Sequence, residues 1–307
     1  MQRLLKAGGY EGNSELQITC CSLLQVTMSY LHKEEQLLEA IETGNLERVK
    51  QLVASGISVN ALLHSTSRRE SATLLGTASY EGHTHIVEYL LSCKALVNYR
   101  DPLFRRNALH WACMGGHYDV VSLLLQHFID VNCVDRDNVT PIIRAAMAGD
   151  RDIVVALLET GANVNQFDRL HSSALHYASF HGHKHVVTAL IKAGCVANNT
   201  AIFGQGTPLA NLVYHGDIAN CHLLVEAGYN LKEDTWIPKY KFPHHQEKEF
   251  HIAAYLLDEF RNPSPLIRLC RAAIRAHLGG TRLSQKINKL SLPCKVTQFL
   301  LIDDISG

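Results

Sequence analysis

Glycine recurs at an almost constant spacing through the middle of the chain, each time between two short segments with helical periodicity. The successive spacings are 38, 34, 33, 33 and 34 residues, and the glycines are Gly44, Gly82, Gly116, Gly149, Gly182 and Gly216. Such a period is typical of stacked helical repeats. We therefore predict a curved solenoid of about six repeats over residues 36–230, which would bind partners on its concave face and loop tips.

Each repeat contains a short helix, a glycine turn, a second helix and a return loop, in that order. Segments 108–132, 141–165 and 174–198 follow this pattern and align without a gap. One helix pair cannot bury its inner face alone, so the apolar residues of 120–125 must pack against their equivalents in 153–158. Stacking is therefore a condition for folding.

The first helix of several repeats opens with a sequence close to Thr-Pro-Leu-His. The matches are Ala108-Leu109-His110, Thr140-Pro141, Ala174-Leu175-His176 and Thr207-Pro208-Leu209. In this motif and its period the chain resembles ankyrin-repeat proteins, which implies an all-α solenoid that binds other proteins. Lys94 and Phe128 replace a glycine that the family has after the second helix, and Leu231-Lys232 replaces the last Val-Asn pair. These departures leave the loop shape after repeats two, three and six open.

Charge and cysteine usage limit the partners and the compartment. The 29 Lys and Arg residues balance the 29 Asp and Glu residues, so no overall cationic field attracts nucleic acid. The nine cysteines are scattered and include no C-x-x-C pair, which favours reduced thiols in the cytoplasm, with the nucleus as a further compartment.

Residues 16–31 could be proposed as part of a signal peptide, but they are too polar and too short to span a membrane. We expect a helical extension over residues 1–35 and no membrane partner.

A short predicted helix near the C-terminus carries a distinct apolar stripe. It begins with a capping serine and a proline at 264–265 and ends at two glycines at 279–280. Leu266, Cys270 and Ile274 recur at i, i+4 and i+8, so they share one face. The stripe could pack only on its own neighbours, but a tail of some 40 residues is too small to bury its own core comfortably. A partner subunit would complete that core.

This stripe resembles the BC box that opens a SOCS box, and residues 290–302 resemble the cullin box that follows it. Over residues 36–302 the chain is thus similar to the ankyrin repeat and SOCS box family. The resemblance implies that the stripe binds Elongin C, and that Leu290, Leu292 and Pro293 contact a cullin. Ser291 departs from the family's Leu-Pro-apolar-Pro order. The resemblance therefore supports the cullin contact less strongly than the Elongin contact.

The predicted organisation has four parts. They are an N-terminal extension (1–35), ankyrin repeats (36–230), a linker with a capping helix (231–262) and a three-helix SOCS box (263–307). The resemblance implies a substrate-receptor subunit of a ubiquitin ligase, with Elongin B, Elongin C, a cullin (Cullin-5) and a RING-box protein as partners. The alternative is an ankyrin scaffold whose terminal helices only cap the stack.

Two surfaces of the repeats are candidates for binding the target protein. The residue two positions before a turn glycine faces the concave side of an ankyrin array, and here this row comprises Tyr80, Met114, Met147, Phe180 and Tyr214. Aromatic and Met side chains suit a binding surface, although they could merely cover the adjacent helix ends. The loop tips add arginines suited to an acidic target, or to a solvated edge neutralised by nearby aspartates. These are Arg68, Arg69, Arg105, Arg106, Arg136 and Arg169.

We expect no catalytic residues, metal or cofactor. The sequence contains no phosphate-binding glycine loop, nucleophile elbow, kinase fingerprint or dehydrogenase fingerprint. The 18 histidines include His110 and His176 in the Thr-Pro-Leu-His motif and His83, His117 and His183 after turn glycines. These positions predict structural hydrogen bonds.

Overall fold

A computed structural model confirms the predicted solenoid of stacked helix pairs. The structure describes residues 32–65, 70–195, 206–231, 234, 237, 255–259, 270, 273–275, 278, 283–290, 292 and 294–301. The predicted N-terminal helix over 16–31 lies outside these residues.

Six helix pairs follow one another, one pair per repeat. They are α1 (32–42) and α2 (Leu46–Ala54), α3 (Leu74–Glu81) and α4 (Thr84–Ser92), α5 (Ala108–Gly115) and α6 (Tyr118–Gln126), α7 (Pro141–Ala148) and α8 (Arg151–Thr160), α9 (Ala174–Phe180) and α10 (Lys184–Lys192), and α11 (Pro208–Tyr214) and α12 (Ile218–Glu226). The first return loop contains an antiparallel hairpin, β1 (Leu62–Ser65) and β2 (Glu70–Thr73), with Leu62 opposite Thr73. Near the C-terminus lie α13 (Leu283–Asn288) and α14 (Cys294–Leu301).

The second helices of neighbouring repeats bury each other's apolar faces. Val120 and Val121 of α6 and Val154 and Leu157 of α8 all have no exposed surface. This burial confirms the predicted pairing of 120–125 with 153–158. Asparagine side chains join the return loops in addition. Asn60, Asn98 and Asn132 each accept the backbone N–H of a residue one repeat later, at 2.9, 2.8 and 2.7 Å.

The turn glycines are required for two separate reasons. Gly82 and Gly149 have φ angles of +78° and +85°, a conformation that L-residues with a Cβ adopt at a cost. A Cβ on Gly82 would lie 2.4 Å from the ring of His117, and one on Gly149 would lie 2.7 Å from the ring of His183. The turn of one repeat is therefore in direct contact with a histidine of the next.

These histidines also link consecutive turns through hydrogen bonds. Nε2 of His117 lies 2.9 Å from the carbonyl oxygen of Tyr80, and Nε2 of His183 lies 3.2 Å from that of Met147, so the ring N–H donates to each carbonyl. His215 forms the equivalent contact with Phe180 at 2.9 Å. The predicted structural role of the turn histidines is confirmed by these bonds.

The motif histidines are buried within the stack. His110 completes a capping box at the start of α5, and its Nε2 lies 3.0 Å from the carbonyl oxygen of Val139 in the next repeat. Burial lowers the pKa of His110 to about 4. The imidazole is therefore neutral at physiological pH, as a buried structural group must be.

The loops that lack a glycine nevertheless keep the shape of the others. Lys94 and Phe128 have φ angles of +63° and +57°, in the same left-handed region as Gly161 at +100°. The sequence left the shape of these loops open. In the structure, Lys94 and Phe128 adopt the backbone conformation of the glycine that they replace. Stacking on both sides determines the turn and overrides the local preference of these residues.

The end of the array is only partly described. Leu256 of the helical residues 255–259 is buried, and the ring of Tyr255 lies 3.9 Å from that of His222 in repeat six. In the predicted linker, Asp234 is buried and accepts hydrogen bonds from Thr207 (2.5 Å) and Tyr229 (2.6 Å). This part of the linker therefore packs on repeat six.

Replacing Phe128 with glycine should stabilise the repeats. The ring is 91% exposed and contributes little packing, whereas the left-handed backbone costs an L-residue roughly 1–2 kcal/mol. After the entropy that glycine loses on folding, we expect a gain of about 1 kcal/mol in the free energy of unfolding, measured by urea denaturation. Phe128→Ala removes the ring but keeps Cβ and should leave stability almost unchanged. Equal stability of the two variants would contradict this explanation.

Candidate protein-binding surfaces

The C-terminal unit comprises the described residues from 270 to 301, and its first helix includes the helical residues 270, 273–275 and 278. Cys270 is exposed, and the side chain of Ile274 is 41% exposed. Leu266, the third predicted member of the stripe, lies outside the described residues. The two described members of the stripe thus present apolar atoms to solvent.

The side of this helix that carries Arg275 is attached to the ankyrin repeats. Arg275 is only 4% exposed, and its guanidinium donates to the carbonyl oxygens of Ile191 at 2.7 Å and Lys192 at 3.3 Å. Both carbonyls belong to the last turn of α10, where helical carbonyls lack partners within the helix and attract cations. Arg275 also donates to the carbonyl of Leu300 at 2.5 Å. One side chain therefore joins repeat five, the first helix of the C-terminal unit and α14.

Sequence reasoning missed this attachment. Arg275 lies off the apolar stripe of its helix, at a position where an arginine is usually solvated. Nothing in the local sequence identifies the carbonyls of Ile191 and Leu300 as its partners, since they lie 84 and 25 residues away along the chain.

The remaining C-terminal helices pack on each other and on the repeats. Leu283, Ile287 and Leu300 form a small buried cluster, and a Cβ added to Gly194 would lie 2.5 Å from Leu283. A cleft of about 410 Å³ separates α13 from the ends of repeats three and four. It is lined by Val131, Asn132, Thr160, Gly161, Gln285, Lys286 and Lys289. The unit is thus folded against the array.

The predicted cullin-box residues stand at the turn between α13 and α14. Leu290 is 46% exposed and Leu292 is 37% exposed. Pro293 lies outside the described residues. The exposed pair forms a second apolar patch on the C-terminal unit.

The concave row of the repeats divides into two parts. Phe180 and Tyr214 are 44% and 53% exposed. Tyr80 and Met114 are half-buried, and the ring of Tyr80 stands edge-on to Trp111 with centroids 6.0 Å apart. Met147 packs against the hydrophobic core. Within this row, the exposed aromatic side chains therefore lie on repeats five and six.

The loop tips differ from the sequence expectation at Arg106. Arg105, Arg136 and Arg169 are exposed, but Arg106 is only 8% exposed. The guanidinium carbon of Arg106 lies 4.3 Å from the Phe104 ring centroid and 4.9 Å from that of Trp111, and such aromatic faces attract cations. Arg106 is therefore part of the loop's internal packing, and its side chain is not available at the tip. Arg68 and Arg69 lie outside the described residues.

Three aspartates of these loops are buried and bind backbone donors. Asp101 accepts N–H groups of Phe104 and Arg106 at 2.6 and 3.0 Å, and Asp135 and Asp168 hold their own loops in the same way. Burial alone would raise the pKa of the Asp135 carboxyl, but hydrogen bonds from Arg144 and from backbone N–H groups hold it below its usual value. These carboxylates stabilise loop geometry from inside.

The described residues provide no evidence for a metal site or a membrane span. Within them, no three His, Cys, Asp or Glu side chains are grouped so that they could hold a metal ion. None of the helices in the same part of the chain has the length and apolarity needed to cross a membrane.

Two kinds of family match cover most of this architecture. Ankyrin repeats (3 copies) match residues 37–135 and 75–168, and ankyrin repeats (many copies) match 152–191. The SOCS box family matches residues 262–301. The fold and the first set of matches define an ankyrin-repeat protein. Because a SOCS box follows the repeats in the same chain, the protein belongs to the ankyrin repeat and SOCS box family.

Curated relatives share only part of the chain. Palmitoyltransferase ZDHHC13 of Mus musculus is 30% identical over 106 residues, which are 34% of this chain and 16% of the relative. The putative ankyrin repeat protein FPV031 of fowlpox virus is 29% identical over 115 residues, or 38% of this chain and 33% of the viral protein. The chain thus spans a third or less of the length of these two relatives. The similarity to palmitoyltransferases is confined to the ankyrin region, and ankyrin repeats with a SOCS box fit a non-catalytic adaptor.

Replacing Arg275 with methionine should loosen the C-terminal unit from the repeats. The variant keeps an apolar stem but leaves the buried carbonyls of Ile191 and Leu300 without this donor, at a cost on the order of 1–3 kcal/mol. Hydrogen exchange of residues 283–301 should accelerate by about tenfold or more, while exchange in repeats three and four stays unchanged. Lys286→Met is the matched control, because Lys286 also donates to a carbonyl, that of Leu278, but from an exposed position. Similar exchange in the two variants would contradict the proposed role of Arg275.

Proposed function

We propose that the protein is the substrate-receptor subunit of an Elongin-cullin-RING ubiquitin ligase. The observation that carries this proposal is the orientation of the first SOCS-box helix. Its Arg275 side is buried against repeat five, while Cys270 and Ile274 remain accessible. Exposed apolar groups on an otherwise anchored helix favour a partner that buries them.

Elongin C is the proposed partner of this stripe, with Leu266, Cys270 and Ile274 as its contacts. A small thiol and branched aliphatic side chains on one helical face suit an apolar groove, in which such anchors are recognised at i, i+4 and i+8. Elongin B would join the complex through Elongin C. The plain scaffold alternative requires the stripe to pack internally, and the exposure of Cys270 and Ile274 disfavours it.

The exposed pair Leu290 and Leu292, together with Pro293, is the proposed cullin contact. We infer that Cullin-5 with its RING-box protein is recruited here. The pair belongs to the same C-terminal unit as the Elongin stripe, so both partners would assemble on that unit. This assembly would operate in the cytoplasm or the nucleus.

The ankyrin array would hold the target protein. Phe180 and Tyr214 are the proposed aromatic anchors, with Tyr80, Met114 and Met147 extending the row at lower exposure. The mechanism is proximity: a target held beside a ubiquitin-charged enzyme reacts at a high effective concentration. The chain itself would contribute no catalytic group.

A double variant of the stripe tests the proposal. Cys270→Phe with Ile274→Asp should abolish copurification of Elongins B and C when the three chains are coexpressed. Loss of buried interface anchors typically costs about 2 kcal/mol or more each, and a buried aspartate adds a desolvation penalty. Helical content should not change, because both side chains are exposed.

Ile218→Asp serves as the matched control, since Ile218 is also a partly exposed isoleucine but lies on α12 of repeat six. It should bind Elongins normally. If the double variant and the control copurify equal amounts of Elongin C, the stripe is not the contact and the ligase proposal loses its basis.

A further inference from the structure

Three consecutive return loops form one continuous ladder on the array. We call the connections 93–107, 127–140 and 161–173 fingers 2, 3 and 4. The backbone N–H of Arg136 in finger 3 donates to the carbonyl of Phe104 in finger 2 at 2.7 Å, and the N–H of Arg169 in finger 4 donates to the carbonyl of Asp137 in finger 3 at 3.0 Å. The fingers are therefore bonded edge to edge and do not move as separate loops.

Each of these hydrogen bonds brings the backbones of two exposed arginines close together. Phe104 precedes Arg105, so the bond from Arg136 brings that arginine next to Arg105. Asp137 follows Arg136, so the bond from Arg169 brings the third arginine next to the second. All three arginines are exposed. We call them the arginine strip.

Three acidic residues of the fingers have buried carboxylates, so these do not compete with a ligand for the exposed guanidinium groups of the strip. Asp101, Asp135 and Asp168 are 1%, 5% and 6% exposed, and each accepts two backbone N–H groups of its own finger. The exposed acidic residues of these fingers are Asp130 and Asp137, and Asp137 is next to Arg136 in the chain.

A second feature adds positive charge beneath the strip. Arg144 donates to Asp135 at 2.7 Å, and Nε of Arg106 lies 3.6 Å from the same carboxylate oxygen. Two guanidinium groups therefore share one carboxylate, and this cluster of three charged groups carries a net positive charge. In a partly buried setting such charge is screened less than on an open surface.

Apolar side chains beside the strip indicate what kind of anion it fits. Leu103 in finger 2 and Leu170 in finger 4 are 39% and 37% exposed. Arginines interspersed with exposed leucines suit a polypeptide that carries carboxylates and aliphatic residues. Single-stranded nucleic acid would favour exposed aromatic rings for base stacking, and Phe104, the aromatic residue beside Arg105, already packs on Arg106.

We propose that Arg105, Arg136 and Arg169 form a docking strip for an extended acidic segment of the target protein, with Leu103 and Leu170 contacting its apolar residues. The proposal rests on the receptor function, since it specifies the class of target that the ankyrin array would hold. Guanidinium groups pair well with carboxylates because both are planar and can form two parallel hydrogen bonds.

The test uses fluorescence anisotropy with the full chain in complex with Elongins B and C. The probe is a fluorescein-labelled peptide of repeated Glu-Leu-Asp-Gly units, and the comparison peptide has repeated Gln-Leu-Asn-Gly units. We expect the acidic peptide to bind at least about tenfold more tightly, with an affinity that falls as salt increases. The triple variant Arg105→Glu, Arg136→Glu, Arg169→Glu should remove this preference.

A charge-matched control separates the strip from a general charge effect. Arg48, Arg151 and Lys184 are exposed at the starts of second helices, and their combined replacement by Glu changes the net charge equally. This control should keep the preference for the acidic peptide. Equal losses in the two triple variants, no preference in the wild type, or tighter binding of a DNA oligonucleotide than of the acidic peptide would each overturn the proposal. Elongin binding by both variants would leave the receptor function intact in each case.

Discussion

The contact between the turn of one repeat and a histidine of the next is the interaction on which the rest of the structure depends. The histidine ring occupies the space that a Cβ of the turn residue would need, so only glycine fits there. This contact fixes the backbone of the turn. The same ring donates to a carbonyl of the previous turn. Since the concave row begins two residues before each turn glycine, the spacing of Phe180 and Tyr214 follows directly from this contact. Repeats four and six have aspartates, Asp150 and Asp217, at the position after the turn glycine. The carboxylate of Asp150 lies near Gly116, and burial raises the pKa of that group. In repeat six the ring of His215 contacts Gly182 instead. The array therefore tolerates an aspartate at this position without losing its register.

Arg275 has the corresponding role between the array and the SOCS box. A flexible tether would let the two parts sample many orientations, and the effective concentration of a bound target near the recruited enzyme would fall. A guanidinium held by carbonyls of α10 and α14 fixes the first SOCS-box helix against repeat five. The same attachment leaves Cys270 and Ile274 accessible. The first SOCS-box helix therefore has two faces. The face with Arg275 is buried and orients the unit, and we assign the exposed face to Elongin C.

The sequence was sufficient for those features that repeat or that act locally. The regular glycine spacing predicted the solenoid. The apolar stripe over residues 266–274 predicted a distinct C-terminal unit. Both features are periodic patterns that can be read directly from the sequence. Long-range partners were not predictable. Arg106 was expected at a loop tip, yet it packs between Phe104 and Trp111. Nothing in the sequence near Arg275 indicated that it binds carbonyls of a distant helix. Lys94 and Phe128 lacked the expected glycine, but stacking imposed the glycine-like turn on them.

The central claim is that the exposed stripe of an anchored SOCS-box helix binds Elongin C. Hydrogen exchange of the full chain, measured with and without Elongins B and C, tests it most directly. The account predicts that residues 270–274 gain strong protection in the complex, while the fingers at 101–106 and 135–139 exchange at the same rate in both samples. Protection confined to the ankyrin fingers, or no change at 270–274, would contradict it.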